Sequence, residues 1–404
     1  MQNTQDKPSF EFVALMAALM SIVALSIDTL LPAISHIGES INSQDATDNQ
    51  MLVTMIFLGL GVGQLFFGPL SDSIGRKPVV YLGILVFVVA SIICLAAPNL
   101  EWMIAGRILQ GIGLSTARTI SISIIRDMYK GDLMAKVMSF VTAFFILVPV
   151  VAPAFGKLLL DVANWQAIFY VQLVLTAMVG LWFWRRQPET LHPEYKIPFT
   201  SHLFMDGLKE LLRFKETVAY TIVSGLVTGS FLVYLSASQH IFEDQYGLKE
   251  AFPYIFAGLA ISIGLSTLLN GTLVLRFGMR RLSTMALVGF CSVALLYVLL
   301  FWPSPTNPNV FVLVTFLSLQ FFCLGFMWGN FRSIAMEPIG HIAGIGAAIN
   351  GFFSTVIAIP IASLIGKYVD ERVLPLFLGL AICGLLSLVI VFILRKSKRM
   401  AVVR

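Results

Sequence analysis

Charge is scarce in this sequence. Only 12% of its 404 residues are Asp, Glu, Lys or Arg, about half the roughly 25% usual in a soluble domain, so a chain surrounded by water on all sides is excluded. Cysteine is rarer still. Cys94, Cys291, Cys323 and Cys383 all lie inside apolar runs, with no CxxC spacing and no histidine cluster nearby, so neither a disulfide framework nor a zinc site fits. The sequence also lacks a glycine-rich phosphate loop, metal-ligand spacing and any nucleophile and base constellation, which argues against an enzyme and against a bound cofactor or metal. No sizeable soluble domain is present, which argues against a receptor. The apolar run from Phe10 to Leu31 is too long for the hydrophobic part of a signal peptide and has no small-residue cleavage site, so it is expected to stay as a first helix.

What the sequence does have is apolar length. Hydrophobic residues make up 57% of it and the mean hydropathy is +0.86. Twelve runs of about 20 apolar residues, each enough to cross a bilayer, begin near Phe10, Met51, Val79, Trp102, Val137, Ala167, Val218, Phe252, Leu282, Val310, Ile342 and Leu374. The expectation is an all-α membrane protein with both termini on one side. The net charge of +5 does not point to nucleic acid, because the cations fall between apolar runs rather than on one face. With both ends cytoplasmic, 21 of the 27 cations lie inside, Lys7, Lys130 and Arg404 among them, and only Lys157, Lys249, Lys367 and Arg372 outside. The positive-inside rule favours that orientation. Residues 1–184 are expected to form one bundle and 217–404 a second with a basic tail. The polar segment 185–216, with Pro188, Pro193, Pro198 and the amphipathic stretch Phe204 to Phe214, would link them along the inner surface, as a plain connector or with a regulatory role. His36 to Gln50, with Glu39, Asp45 and Asp48, is expected to be an exposed outer loop.

The stretch GPLSDSIGRK, Gly68 to Lys77, is a polar insert between two apolar runs. Gly68 and Gly75 would allow close helix approach and a tight turn, Asp72 supplies a carboxylate near one helix end, and Arg76 and Lys77 supply cations at the start of the next. Such a pairing can lock one conformation of two; the plainer reading is a turn whose cations only fix orientation. A weaker copy, GTLVLRFGMR, Gly271 to Arg280, follows: Gly68 and Gly271, and Gly75 and Gly278, are each 203 residues apart. A shift of half the chain points to two similar halves.

Ionisable groups inside the spans are the candidate functional residues, since burying one against lipid costs about 2.5–3.5 kcal/mol on insertion scales. Asp28 falls near the end of the first run, before Pro32. Facing the interior, its carboxyl could carry a proton reversibly, burial favouring the protonated form and a nearby cation the ionised one; otherwise it is an exposed carboxylate at the outer interface. Arg107, early in the fourth run, is its candidate partner at similar depth. Arg118 lies eleven residues further, close to three turns, and so on the same stripe about 16 Å away. It could meet an anionic or polar substrate, or bind carbonyls or snorkel inward. In the second half, Tyr234, Gln239, Asn330 and Asn350 are candidate cavity residues, although a membrane asparagine commonly serves as an interhelical hydrogen-bond partner. Pro149 and Pro153 are expected to bend the fifth span, for gating or packing.

These motifs together carry a resemblance. SIDTLLPAI (Ser26 to Ile34), RILQGIG (Arg107 to Gly113), IIRDMY (Ile124 to Tyr129), YGLKEAFPYIFA (Tyr246 to Ala257) and EPIGHIAGIGAAINGF (Glu337 to Phe352) resemble, in the expected order, the twelve-helix drug:proton antiporters of the major facilitator superfamily, in the bicyclomycin and chloramphenicol resistance branch. The resemblance implies two six-helix bundles in a bacterial inner membrane, acting as a functional monomer. Alternating access would export small molecules against inward proton flow, with no cofactor beyond the proton gradient. It gives Asp28 the proton or substrate role, Arg107 the coupling role, and Gly68, Asp72, Gly75, Arg76 and Lys77 the gate. The sequence departs from the family pattern at Ser73, where a basic residue is usual, and at Ala152 and Lys157 around the fifth-helix proline motif. Arg118 lies outside the recognised motifs and argues against an ordinary lipophilic-cation preference; it would be the discriminating residue for the alternative, a dedicated exporter of an anionic metabolite such as a siderophore.

Overall fold

A computed structural model describes residues 9–43, 46–129, 131–302 and 304–402. Among them there is no strand. Lys7, Asp45, Lys130 and Arg404 lie outside the described residues. The helices are α1 Phe10–Asp28, α2 Ile34–Ser40, α3 Ala46–Ile74, α4 Arg76–Leu95, α5 Leu100–Met128, α6 Gly131–Val162, α7 Trp165–Arg186, α8 Ser201–Arg213, α9 Lys215–Gln239, α10 Phe252–Phe277, α11 Met279–Phe301, α12 Val310–Met336, α13 Ala343–Gly366 and α14 Leu374–Val402. All except α2 and α8 are long and apolar enough to cross a membrane, which gives twelve spans. Their starts follow from local chemistry. Ser9, Asn99, Asn164 and Asn309 each accept a hydrogen bond from a backbone N–H in the first turn of α1, α5, α7 and α12, satisfying donors that a helix cannot satisfy itself.

The chain divides into two units, Met1–Gln44 with Met55–Thr200, and Asp45–Thr54 with Ser201–Arg404. In the first, α1 packs on α5, α6 and α7, and α4 lies along α5. In the second, α13 lies along α9, and α12 packs on α9, α10 and α11. Side chains such as Leu85, Val89 and Ile92 on α4 and Leu296, Leu299 and Leu300 on α11 are exposed. A soluble protein rarely carries such wide apolar surface; against lipid tails it is the ordinary solution.

Two segments differ from a simple loop. The stretch 36–50 is largely helical: α2 buries Ile34 and Ile37, and α3 has already begun at Ala46, with Asn49 and Gln50 buried. The expectation of an exposed loop counted its charges and overlooked Ile34, Ile37 and Ile41, whose spacing of three and four gives α2 an apolar face. After α7, residues 187–200 run without regular structure except for a 3-10 turn at Pro193–Tyr195, and then α8 forms. Gly207 lets α8 lie against Ile345 and Ile349 of α13.

Candidate functional site

Asp28 is the last residue of α1, and its side chain is buried. The helix stops there because Pro32 has no N–H to offer the Asp28 carbonyl. The final turn tightens, with Leu30 N donating to Ile27 O. Ser26 O is then taken by Arg107, whose Nη1 donates to it at 3.3 Å. A guanidinium at the C-terminus of a helix satisfies carbonyls that the helix leaves open and complements its dipole. Arg107 itself is fully buried, and its Nη1 also donates to Gln110 Oε1 at 2.7 Å, while Gln110 Nε2 donates to Ser91 Oγ at 2.7 Å. The relay thus joins α1, α5 and α4.

The expected Asp28–Arg107 ion pair is not formed. Ser26 and Asp28 are two residues apart, about 200° round a helix, so a guanidinium seated on the Ser26 carbonyl lies on the far side from the Asp28 side chain. Among the described residues, the Asp28 carboxyl makes no hydrogen bond or ion pair. Its surroundings are tightly built. A Cβ at Gly156 of α6 would overlap the Thr29 carbonyl oxygen, so only glycine permits that approach. Gln172 of α7 donates to Thr29 Oγ1 at 3.0 Å.

Along α1, the partly exposed positions are Ala14, Ala18, Ser21 and Leu25, spaced four, three and four apart. That spacing is one helical face, and Asp28, three residues further, lies at its closed end. Arg118 on α5 is exposed, although it stands eighteen residues from Leu100 and ten from Met128 in the same helix. Arg107 and Arg118 share a stripe, but only the second is accessible.

The Gly75 turn brings most of the expected gate residues together. Arg76 is buried; its Nη1 donates to Asp72 Oδ1 at 2.6 Å and to Ser71 Oγ at 2.7 Å, and its Nε to Asp127 Oδ2 at 2.9 Å. Lys77 Nζ donates to the Trp184 carbonyl at 3.3 Å. Gly75 has φ 113°, a conformation that glycine alone adopts readily. Gly68 is different, because a Cβ there would meet only Thr119 Cγ2, at 3.8 Å. The close approach expected at Gly68 is found deeper, at Gly59 against Gly111 and at Gly83 against Gly113, where added Cβ atoms would overlap the facing helix. Both glycines of RILQGIG are therefore contact points of α5, one on α3 and one on α4.

In the second unit the candidate residues are buried, and the two asparagines are bonded across helices. Asn330 Nδ2 donates to Asn270 Oδ1 at 2.8 Å, and Asn350 Nδ2 to Thr221 Oγ1 at 2.6 Å. Gln239 Nε2 donates to Glu243 Oε2 at 3.0 Å. Tyr234 stacks on Phe256 and meets Phe321 edge-on, with ring centroids 4.7 Å apart. This structure does not gather these four into one polar site. Pro149 and Pro153 both lie within α6, which continues through them.

Sequence reading missed the residues that complete the Arg76 cluster. Glu189, in the stretch after α7, accepts from Arg76 N at 2.9 Å and Lys77 N at 3.0 Å, capping α4 from more than a hundred residues away. It also accepts from its neighbours Thr190 N and Leu191 N. Burial works against the charged form, but these four backbone donors outweigh it and hold the Glu189 carboxyl below its usual range. Thr190 Oγ1 donates to Asp127 Oδ2, and Ile197 N to Asp72 O. The only sequence signal was Asp127 inside IIRDMY, a carboxylate at a helix end with no assigned role.

The sequence matches the Major Facilitator Superfamily model over residues 16–362. It is 27% identical to the uncharacterized MFS-type transporter YdgK of Bacillus subtilis, covering 91% of each chain. It is 24% identical to a bicyclomycin resistance protein homolog of Haemophilus influenzae, covering 96% of this chain and 97% of that one. With the multidrug resistance protein MdtL of Klebsiella pneumoniae it shares 25% identity, over 93% and 94% of the two chains. In fold it is similar to the xylose transporter XylE from E. coli, with TM-score 0.72 at 13% identity over 95% of this chain and 98% of that one. It is also similar to the human organic anion transporter MFSD10, with TM-score 0.65 at 15% identity over 94% and 99%. A motif-bearing turn repeated at half the chain length, twelve spans and a family match across most of the sequence converge: this chain is a multi-pass membrane transporter and belongs to the Major Facilitator Superfamily.

Proposed function

We propose that this transporter exports small-molecule drugs from a bacterial cytoplasm in exchange for protons, by alternating access and as a monomer, with both termini on the cytoplasmic side of the inner membrane. The observation that carries the proposal is the Asp28 carboxyl: buried, without a hydrogen-bond or ion-pair partner among the described residues, and at the closed end of the accessible face of α1. A carboxyl so placed exchanges a proton as its surroundings change between dry and wet, and no metal or cofactor is required. Arg107 acts through the backbone. By holding Ser26 O it fixes the turn that bears Asp28, and a movement of α5 is thereby felt at the proton site. The Arg76 cluster closes the cytoplasmic end in one of the two states. Names of relatives that include bicyclomycin resistance and multidrug resistance support the cargo class, and the distribution of cations supports the orientation.

The test is proton release from purified protein on addition of bicyclomycin or chloramphenicol, with the parent chain compared with Asp28→Asn. Release by the parent that vanishes in the variant is expected. Release that persists undiminished in Asp28→Asn would move the proton site elsewhere, and normal uphill export by that variant in proteoliposomes would remove the coupling role altogether.

A further inference from the structure

We propose that Arg118 is an anion-binding subsite, taking the carboxylate of an amphiphilic cargo, so that the transporter prefers acidic or zwitterionic molecules to lipophilic cations. This deepens the export reading above and rests on it. The first support is direction. On α5, Gly111 and Ser115 pack against α3, and Gly113 and Thr116 against α4, while Arg107 meets Ser26 of α1. Eleven residues return the helix to within about 20° of its starting direction, and Gly111, seven residues back, is equally close, so Arg118 projects between α1 and α3 and not toward lipid.

The second support is room. Spans alternate in direction, so α1 and α5 are antiparallel. Descending about 16 Å along α5 from the Ser26–Arg107 contact corresponds to the same distance back along α1, which reaches Leu15. The accessible residues at that level are Ala14 and Ala18, both with small side chains. Arg118 is exposed there, whereas Arg107 on the same stripe is fully buried.

The third support is the lack of any internal claim on the charge. Among the described residues, the Arg118 guanidinium has no carboxylate, carbonyl or hydroxyl partner. The carboxylates near the ends of α5 and α3 are committed, since Asp127 and Asp72 both accept from Arg76. Met128, the last residue of α5, is ten residues on, about 15 Å along the axis, farther than the side chain extends. An unpaired cation inside a span is costly unless water or a ligand anion meets it, and a planar fork of donors matches a carboxylate bidentately. From Arg118 to the level of Asp28 is about 20 Å of helix rise. The charge of the cargo and the proton are therefore read at separate depths.

The experiment uses two probes of one shape, 1-naphthoate and 1-naphthamide, binding to the purified full-length protein at neutral pH. The parent should bind the carboxylate about tenfold more tightly, as a charge-assisted bidentate pair allows. Arg118→Gln should bring the two probes to within about twofold of each other while binding the amide as the parent does, which reports an intact fold. Arg118→Lys should retain part of the preference. Equal binding of the two probes by the parent, absence of binding included, would overturn the proposal, and so would a preference that survives in Arg118→Gln. In nanodiscs, a preference present in phosphatidylcholine but erased by phosphatidylglycerol would assign the arginine to lipid phosphate and equally overturn it. A carboxylate preference alongside undiminished proton release by Asp28→Asn would leave this subsite standing and remove the Asp28 reading; the reverse pattern would do the opposite.

Discussion

The turn at Gly75 in the first unit and the turn at Gly278 in the second make the same backbone bend, with φ 113° and 75°, each between two spans and 203 residues apart. They are held differently. At the first, Arg76 is buried between Asp72 and Asp127, and Glu189 caps the following helix. At the second, Leu275 stands where Asp72 would repeat, and the cation is Arg280, in register with Lys77. Arg280 pairs with Glu216 and Glu337; its side chain is 40% exposed against 3% for Arg76, with Glu337 at 49% and Glu216 at 11%. The bend is thus common to both halves, while a cluster built on a buried arginine belongs to the first alone.

The widest separation should come from the two arginines. Arg76→Ala leaves Asp72 and Asp127 facing each other with little solvent and is expected to cost about 3–5 kcal/mol. Arg280→Ala removes a partly exposed cation from Glu216, itself largely buried, and should cost less, about 1–3 kcal/mol. Thermal unfolding of the purified variants in one detergent measures both, and equal losses would break the comparison. A smaller contrast is expected between the glycines. Gly278→Ala meets nothing within 4 Å and should cost only backbone strain, about 1–3 kcal/mol. Gly75→Ala has similar strain, and its Cβ would also sit 2.7 Å from Glu189 Oε2. It should therefore lose about 1 kcal/mol more, the worth of a helix cap, and Glu189→Ala introduced beforehand should erase that excess.

Legibility followed range. The twelve spans could be read because bilayer thickness imposes a run length that local sequence must satisfy, and the Gly75 turn because φ above zero selects glycine. Asp72 with Arg76 is an i,i+4 pair and equally local. Glu189 lies 113 residues from the amide it caps, and nothing near either residue announces the contact. The Asp28–Arg107 pairing failed for a related reason. Matching depth brought Arg107 to the right turn of α1, but the helix end offers a bare carbonyl at Ser26, and that acceptor, invisible in a list of side chains, took the guanidinium. Asn330 and Asn350 were named as cavity residues, yet each found a partner on a neighbouring helix.

Glu189 gives the finest cut between the two junctions, because its contribution should depend on pH. Its carboxyl is held below the usual range by four backbone donors. A group whose pKa is depressed on folding adds stability that is complete above its unfolded pKa and is lost as the pH falls through the folded one. Glu189→Gln removes the charge and keeps the shape. The parent should therefore exceed this variant by about 1 kcal/mol at neutral pH, and the gap should close as the pH falls to the acid side of the carboxylate range, about pH 3. Melting temperatures of the two proteins across that interval measure the gap, and taking their difference cancels the titration of every other carboxylate. A gap constant with pH would mean that Glu189 holds α4 by shape rather than by charge. The first junction would then be locked by Arg76 alone, and the contrast with Arg280 would reduce to burial.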